Sequence, residues 1–227
     1  TGYLHLKDVY TPIVGKNIVK NNVKLDKQML ITGPNASGKT TLLKATLLNV
    51  LLSQQIGCGY FAQGSKLRLY DEISCYINIP DTSGRDSLFQ SEARRCKEIY
   101  DSVMKNHDKH HFCIFDELYS GTNPYEAISA SYSFIKHLSK RTNINFMLTT
   151  HYIDLCKHLE NNVKLQNCSM KTITQTDNFK YTYQLEQSIS NVRGGVKVLQ
   201  DLKYPREIVE DTRKFLQKIE LLSIKKK

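Results

Sequence analysis

A chain of 227 residues, 40% of them hydrophobic, is long enough to bury a substantial core, which excludes disorder as an overall description. Lys and Arg total 32 against 22 Asp and Glu, a formal charge of +10 that suits polyanionic partners without singling one out. The six cysteines, Cys58, Cys75, Cys96, Cys113, Cys156 and Cys168, form no CxxC pair, which excludes a zinc ribbon or a thioredoxin-type redox motif and points to free thiols in a reducing, intracellular compartment. The amino terminus has no basic segment leading into an apolar stretch, so no secretion signal is expected. Its lack of an initial Met suits a piece of a longer protein.

In chain order, KQMLIT at 27–32 reads as a buried strand and Lys39 to Gln54 as a helix. Ala45 to Ser65 carries no formal charge and approaches a membrane-spanning length. Asn49, Ser53, Gln54, Gln55 and three glycines interrupt it, and a break near Ile56-Gly57 divides a helical pattern from a strand-like one, so no membrane span is expected. Ser87 to Met104 reads as a helix behind an Asp86-Ser87 cap, HHFCIF at 110–115 as a strand, Pro124 to Ser139 as a helix with a first-turn proline, and INFMLTT at 144–150 as a strand. From Val163, two β-rich runs flank the turn-forming pair Asp177-Asn178 and predict a hairpin. Gly195 to Lys203 and Arg206 to Leu222 predict two closing helices, the second with Ile208, Val209, Phe215, Leu216 and Ile219 on one side. Lys225 to Lys227 reads as a solvated end. Strands alternating with helices predict an α/β fold with a mostly parallel sheet flanked by helices.

Gly33-Pro34-Asn35-Ala36-Ser37-Gly38-Lys39-Thr40 satisfies GxxxxGK[ST], placed after a predicted strand and opening a predicted helix as that loop requires. Glycines let the backbone curl until amides and the helix's positive end face phosphate oxygens, Lys39 reaches the β and γ phosphates, and Thr40 offers its hydroxyl to Mg2+. Thr41 completes this candidate set. Downstream, the apolar strand at 112–115 ends in Asp116-Glu117. Asp116 is the candidate metal ligand and Glu117 the group that orients or deprotonates the attacking water. Alone, an apolar strand ending in acids is as readily structural. His151 follows the strand at 144–150, at the sheet edge where open α/β folds bind ligands, and is placed to sense a γ-phosphate.

Loop, acidic strand and histidine occur in the order of ATP-binding-cassette ATPases, and the details resemble the ATPase domain of the MutS family of mismatch-repair proteins. TGPNASGKTTLLK resembles that family's TGPNxxGKST, QIGCGYFAQ its QIGxYVPA, SLFQSE its STFxxE, FDELYSGTNPYEA its DExGRGTSTYDG and TTHYIDL its ATHYxEL. The carboxyl end, VRGGVKVLQDLKYPREIVEDTRKFL, is similar to its SYGxxVAxxAGxPxxVIxxA stretch.

The resemblance implies a P-loop NTPase of the ATP-binding-cassette type, with ATP and Mg2+ as cofactors, over residues 1–190, followed by carboxyl-terminal helices at 191–227 that pack on the ATPase or in its dimer interface. It implies a homodimer or heterodimer with composite sites, in which Ser87, with Phe89 and Glu92 in the same frame, acts across the interface on the partner's γ-phosphate. The turn Ser120-Gly121-Thr122-Asn123 would border that seam. The family's adenine-stacking aromatic falls at Ile18 and its opposing histidine at Tyr183, while Tyr119-Ser120 replaces its Gly-Arg and Tyr10-Thr11-Pro12 its Arg-His-Pro, as in a divergent branch. DNA would be engaged mainly through domains outside this segment.

His107, His110, His111 and Cys113 form a metal-like cluster whose spacing argues against a site, because His111 and Cys113 share a strand face and His107 precedes it in a loop. Lys16, Lys20, Lys24, Lys136, Lys140, Arg141 and the basic residues of Arg206 to Lys218 read equally as a nucleic-acid patch or as solvated faces. The leading expectation is a Mg2+-dependent ATPase domain of a MutS-like DNA repair or recombination protein. The alternatives are a nucleotide-switched dimerisation module with little turnover, or another cassette-type ATPase acting on nucleic acid.

Overall fold

The computed structural model describes residues 4–15, 17–77, 79, 87–175, 178–192 and 194–224. Lys16, Asp86, Asp177, Arg193 and the Lys225 to Lys227 run lie outside the described residues. Strands β1 (Leu4–Val9) and β2 (Asn21–Leu25) pair antiparallel as a small sheet. Among the described residues a six-stranded sheet is built from β3 (Gln28–Thr32), β4 (Glu72–Tyr76), β5 (His111–Asp116), β6 (Ile144–Thr150), β7 (Leu165–Gln175) and β8 (Asn178–Glu186), in the order β4-β5-β6-β3-β7-β8. Every neighbouring pair is parallel except the β7–β8 hairpin.

The helices are α1 (Lys39–Ile56), α2 (Leu88–Lys105), α3 (Pro124–Leu138), α4 (Ile153–His158), α5 (Gly195–Asp201) and α6 (Arg206–Ile224). Successive side chains of a strand face opposite ways, so a strand covered on both faces must be apolar throughout. In the central strands, Leu30, Cys113, Phe115, Phe146 and Leu148 pack on α2, α3 and α4. Their neighbours Met29, Ile31, Phe112, Ile114 and Met147 pack on α1 and on the β1–β2 sheet.

The runs at 27–32, 110–115 and 144–150 thus become β3, β5 and β6, and the hairpin and closing helices form where expected. The strand-like stretch after Gly57 does not become a strand. Gly57 ends α1 in the left-handed conformation, with φ 75°, and the chain then turns back over the helix. Fully buried Asn49 holds it there, donating to the Tyr10 carbonyl at 2.9 Å and accepting from the Tyr60 amide. A Cβ on Gly59 would lie 2.7 Å from the Asn49 side-chain oxygen and 2.5 Å from the Phe61 ring, so the turn admits only glycine there. The apolar side of α6 also departs from expectation: Val209 is buried, but Ile208, Phe215 and Ile219 remain exposed.

The connection into α5 leans on the first loop of the domain. The Ser190 amide donates to the Thr32 hydroxyl at 2.8 Å, and a Cβ on Gly194 would lie 2.8 Å from Pro34 Cβ. No helix among the described residues is long and apolar enough to cross a membrane, and they contain no disulfide.

Candidate functional site

Three adjacent strands deliver the candidate residues to one edge. Thr32 pairs with Thr150 and Asp116 with Thr149, so the residues that follow β3, β5 and β6 emerge side by side. The loop leaving β3 turns through Ala36 at φ 63° and Gly38 at φ 97°, left-handed values that curl it back towards the start of α1. Side chains at Gly33 and Gly38 would also crowd their neighbours. A Cβ on Gly33 would lie 2.8 Å from Ser37 Oγ, and one on Gly38 3.2 Å from the Tyr183 ring.

Lys39 is buried, and Nζ donates to the Gly33 and Pro34 carbonyls at 2.9 and 3.3 Å while standing 3.5 Å from Glu117 Oε1. Burial pulls its ammonium below the ordinary lysine value, against the opposing attraction of Glu117. The Ser37 hydroxyl is buried and has no hydrogen-bond partner among the described residues. A cation held, among the described residues, by two carbonyls and neighbouring acids, beside an orphan hydroxyl, is a cradle suited to an anion bearing several oxygens.

Thr40 Oγ1 donates to Asp116 Oδ2 at 2.8 Å, and the Thr149 hydroxyl donates to Asp116 Oδ1. Asp116 is therefore aimed by hydroxyls from two other elements. Glu117, at φ 53°, turns back beneath it and meets His151, whose Nδ1 is 3.5 Å from Oε2. The His151 hydrogen bond, and after it Lys39, hold the Glu117 carboxyl below the usual carboxylate range, against burial.

Lys39, Thr40, Asp116 and Glu117 border a cleft of about 790 Å³ that is also lined by Ile18, Tyr183, Asn35, Ala36, Gly38 and Thr41. Ile18 and Tyr183, far apart in sequence, thus face the space that the phosphate loop opens onto. Asn21 fixes Tyr183: its amide donates to the Tyr183 carbonyl at 3.0 Å and accepts from the Leu185 amide at 2.7 Å, across a residue at φ 59°. Gly33, Pro34 and Ser37 lie buried in the loop rather than on the cleft wall, and His151 reaches the cleft through Glu117.

Ser87 is not among the cleft-lining residues. It is exposed and caps α2, accepting from the Gln90 amide at 3.3 Å while Gln90 Oε1 accepts from the Ser87 amide at 2.8 Å. Phe89 and Glu92 differ from Ser87 in direction, since both turn into their own domain: Phe89 against Tyr119 with ring centres 5.7 Å apart, and Glu92 onto Ser120. Thr149 and Asn21 are contributors that motif reading passes over. Thr149 had a local signal in the TTH run, whereas Asn21 had none because its partners lie more than 160 positions away.

The metal-like cluster is dispersed. The Arg68 guanidinium meets the His110 ring, His111 Nε2 meets the Asn106 carbonyl, and Cys113 is buried in the core with its thiol pushed up to about 12 by burial. No group of three or more His, Cys, Asp or Glu among the described residues is arranged to hold a metal ion.

A mainly parallel sheet with helices on both faces, a glycine loop at the end of one central strand and an acidic pair at the end of another define a phosphate-loop α/β domain. The family model described as MutS domain V matches residues 29–220, and the chain belongs to that family. It is similar to the DNA mismatch repair protein MutS of Persephonella marina, 28% identical over 206 residues that cover 87% of this chain and 23% of that protein. It is 29% identical over 203 residues to the endonuclease MutS2 of Lactococcus lactis subsp. cremoris, covering 88% of this chain and 25% of the relative. The MutS of Lysinibacillus sphaericus is 28% identical over 218 residues, covering 92% and 25%. The chain spans about a quarter of the length of these curated relatives.

Proposed function

We propose that this domain binds ATP with Mg2+ and hydrolyses it, in an ATP-binding-cassette arrangement, as the motor of a MutS-like DNA mismatch-repair or recombination protein. The observation that carries this conclusion is the meeting of Lys39, the Thr40–Asp116 pair and the Glu117–His151 pair at the bases of three neighbouring strand ends. Loop amides and the positive end of α1 cradle the phosphates, and Lys39 exchanges the Gly33 and Pro34 carbonyls for phosphate oxygens.

Thr40 and Asp116 present hard oxygen ligands side by side and would hold Mg2+, whose charge would offset that of the β and γ phosphates. Glu117 orients the attacking water and accepts its proton, while His151 steadies the carboxylate and faces the γ-phosphate. Ile18 and Tyr183 cover the two faces of the base. Ser87, exposed at the head of α2, acts on the nucleotide of the other subunit in a homodimer or heterodimer. Residues 1–190 make up the ATPase domain, and the helices of 191–227 pack on it or in its dimer interface. The setting is intracellular and reducing, with DNA contacted mainly outside this segment.

Phosphate release at saturating ATP tests the proposal. Lys39→Ala should weaken ATP binding by about 10- to 100-fold, the loss expected for charge-assisted hydrogen bonds. Wild-type release no faster than that of the variant would overturn it. One observation favours a second reading, a nucleotide-switched dimerisation module with little turnover: both Glu117 oxygens are engaged, Oε1 with Lys39 and Oε2 with His151, each at 3.5 Å. Tight ATP binding without phosphate release would select that reading.

A further inference from the structure

Glu92 lies one turn into α2 and is only 2% exposed. A carboxylate so deeply buried needs donors for its lone pairs, and the donors show what it holds. Its Oε1 accepts from the Ser120 amide at 3.0 Å and from the Ser120 hydroxyl at 2.7 Å, and its Oε2 accepts from the Gly121 amide at 3.0 Å. Ser120 and Gly121 follow closely on Glu117, in a loop where Glu117 and Tyr119 both hold left-handed backbones, with φ 53° and 56°. Such values in residues with side chains persist only where the surroundings impose them.

The same loop meets α2 at two further points. The Tyr119 ring packs on Phe89 in the first turn of the helix, and a Cβ on Gly121 would lie 2.7 Å from Leu88 Cγ and 2.8 Å from the Phe89 amide nitrogen. The head of α2 and residues 119–121 therefore fit together without slack. Tyr119 and Ser120 supply the ring and the hydroxyl of this junction.

We infer that Glu92 is a positioning residue that fastens the helix headed by Ser87 to the loop bearing Glu117. Loosening this junction then shifts Glu117 in the same subunit's site and lowers turnover, while the contacts of Lys39 and the loop are kept. This rests on the ATPase reading above. The Tyr76 side chain also hydrogen-bonds the carboxylate, and with these partners all in the chain itself Glu92, although it borders the cleft, acts through the loop.

Glu92→Gln tests the inference, because an amide of the same shape turns one acceptor into a donor facing a donor. Phosphate release, ATP affinity and hydrogen exchange of the 117–123 amides are measured on the wild type, Glu92→Gln and the milder Ser120→Ala. The Ser120 and Gly121 amides should lose protection by about 10- to 100-fold in Glu92→Gln, kcat should fall about 10-fold or more, and ATP affinity should stay within about 3-fold. Ser120→Ala should lower kcat by about 3-fold with affinity unchanged. Unchanged protection and kcat in Glu92→Gln would overturn the inference. If that variant fails to fold, Ser120→Ala decides, and wild-type behaviour in both readouts would overturn it. Should the wild type release no phosphate, the ATPase reading falls while the exchange data still judge the fastening: lost protection at residues 120–121 with ATP affinity retained supports it, and retained protection overturns it.

Discussion

Glu117→Gln removes a negative charge without changing shape, and the structure sets the size of both effects. The carboxylate stands 3.5 Å from Lys39 Nζ and 3.5 Å from His151 Nδ1. At 3.5 Å and an effective dielectric of about 20, Coulomb attraction between unit charges is about 5 kcal/mol before hydration is counted. Glu117 is 32% exposed, so screening and the retained hydration of the ions reduce the useful part to about 1 kcal/mol. That attraction competes with phosphate for Lys39. The amide variant should therefore bind ATP about 5-fold more tightly, while turnover drops by about 10²- to 10⁴-fold because no base receives the water's proton. Equilibrium ATP titration and stopped-flow phosphate release measure the two separately. Turnover within about 3-fold of wild type would remove Glu117 from its role, and weaker binding would refute its competition for Lys39.

Tyr183→Ala should weaken ATP by about 10-fold, from stacking worth ~1–3 kcal/mol, yet leave inorganic triphosphate unaffected in competition titrations; an equal loss for both would take Tyr183 away from the base. Asn49→Leu leaves the Tyr10 carbonyl and the Tyr60 amide without partners and should cost about 2–5 kcal/mol in urea unfolding, with a cost under about 1 kcal/mol contradicting the role given to that amide. The Ser102 hydroxyl, with Lys109 and His111, holds the folded Glu72 carboxyl below its unfolded value, against burial. Its stabilisation is then fully present above the unfolded carboxylate pKa and is lost as pH falls through the folded one. Urea midpoints from about pH 6 to about pH 3 should fall less for Glu72→Gln than for wild type, and parallel curves would count against the assignment.

The phosphate loop, the acidic strand and the central sheet are legible in sequence because each is coded locally. Two-sided burial forces continuous apolar runs in β3, β5 and β6, and the loop's glycines hold positive φ values that side chains disfavour. The β1–β2 sheet and β4 escape notice because partners elsewhere define them. Asn21 reads as an ordinary polar residue until its amide is seen bridging two backbone groups of β8, and the EISCY of β4 mixes polar and apolar residues. The loop after Gly57 misleads in the opposite sense. Its apolar residues suit a strand, but Asn49 takes the Tyr60 amide and turns the chain over α1. Ser87 is legible as a cap from its neighbours, whereas the inward direction of Glu92 depends on a loop reached only after β5.

Gly194 against Pro34 gives the end of the chain a fulcrum. Behind that contact α5 leads into α6, whose 19 residues make an arm about 28 Å long. A tilt of about 5° at the pivot would sweep the far tip through about 2.5 Å, by simple geometry on that length. Small rearrangements of the loop around Pro34 would thus be magnified at a surface remote from it. A cut made just before the pivot would separate the gauge from its pointer.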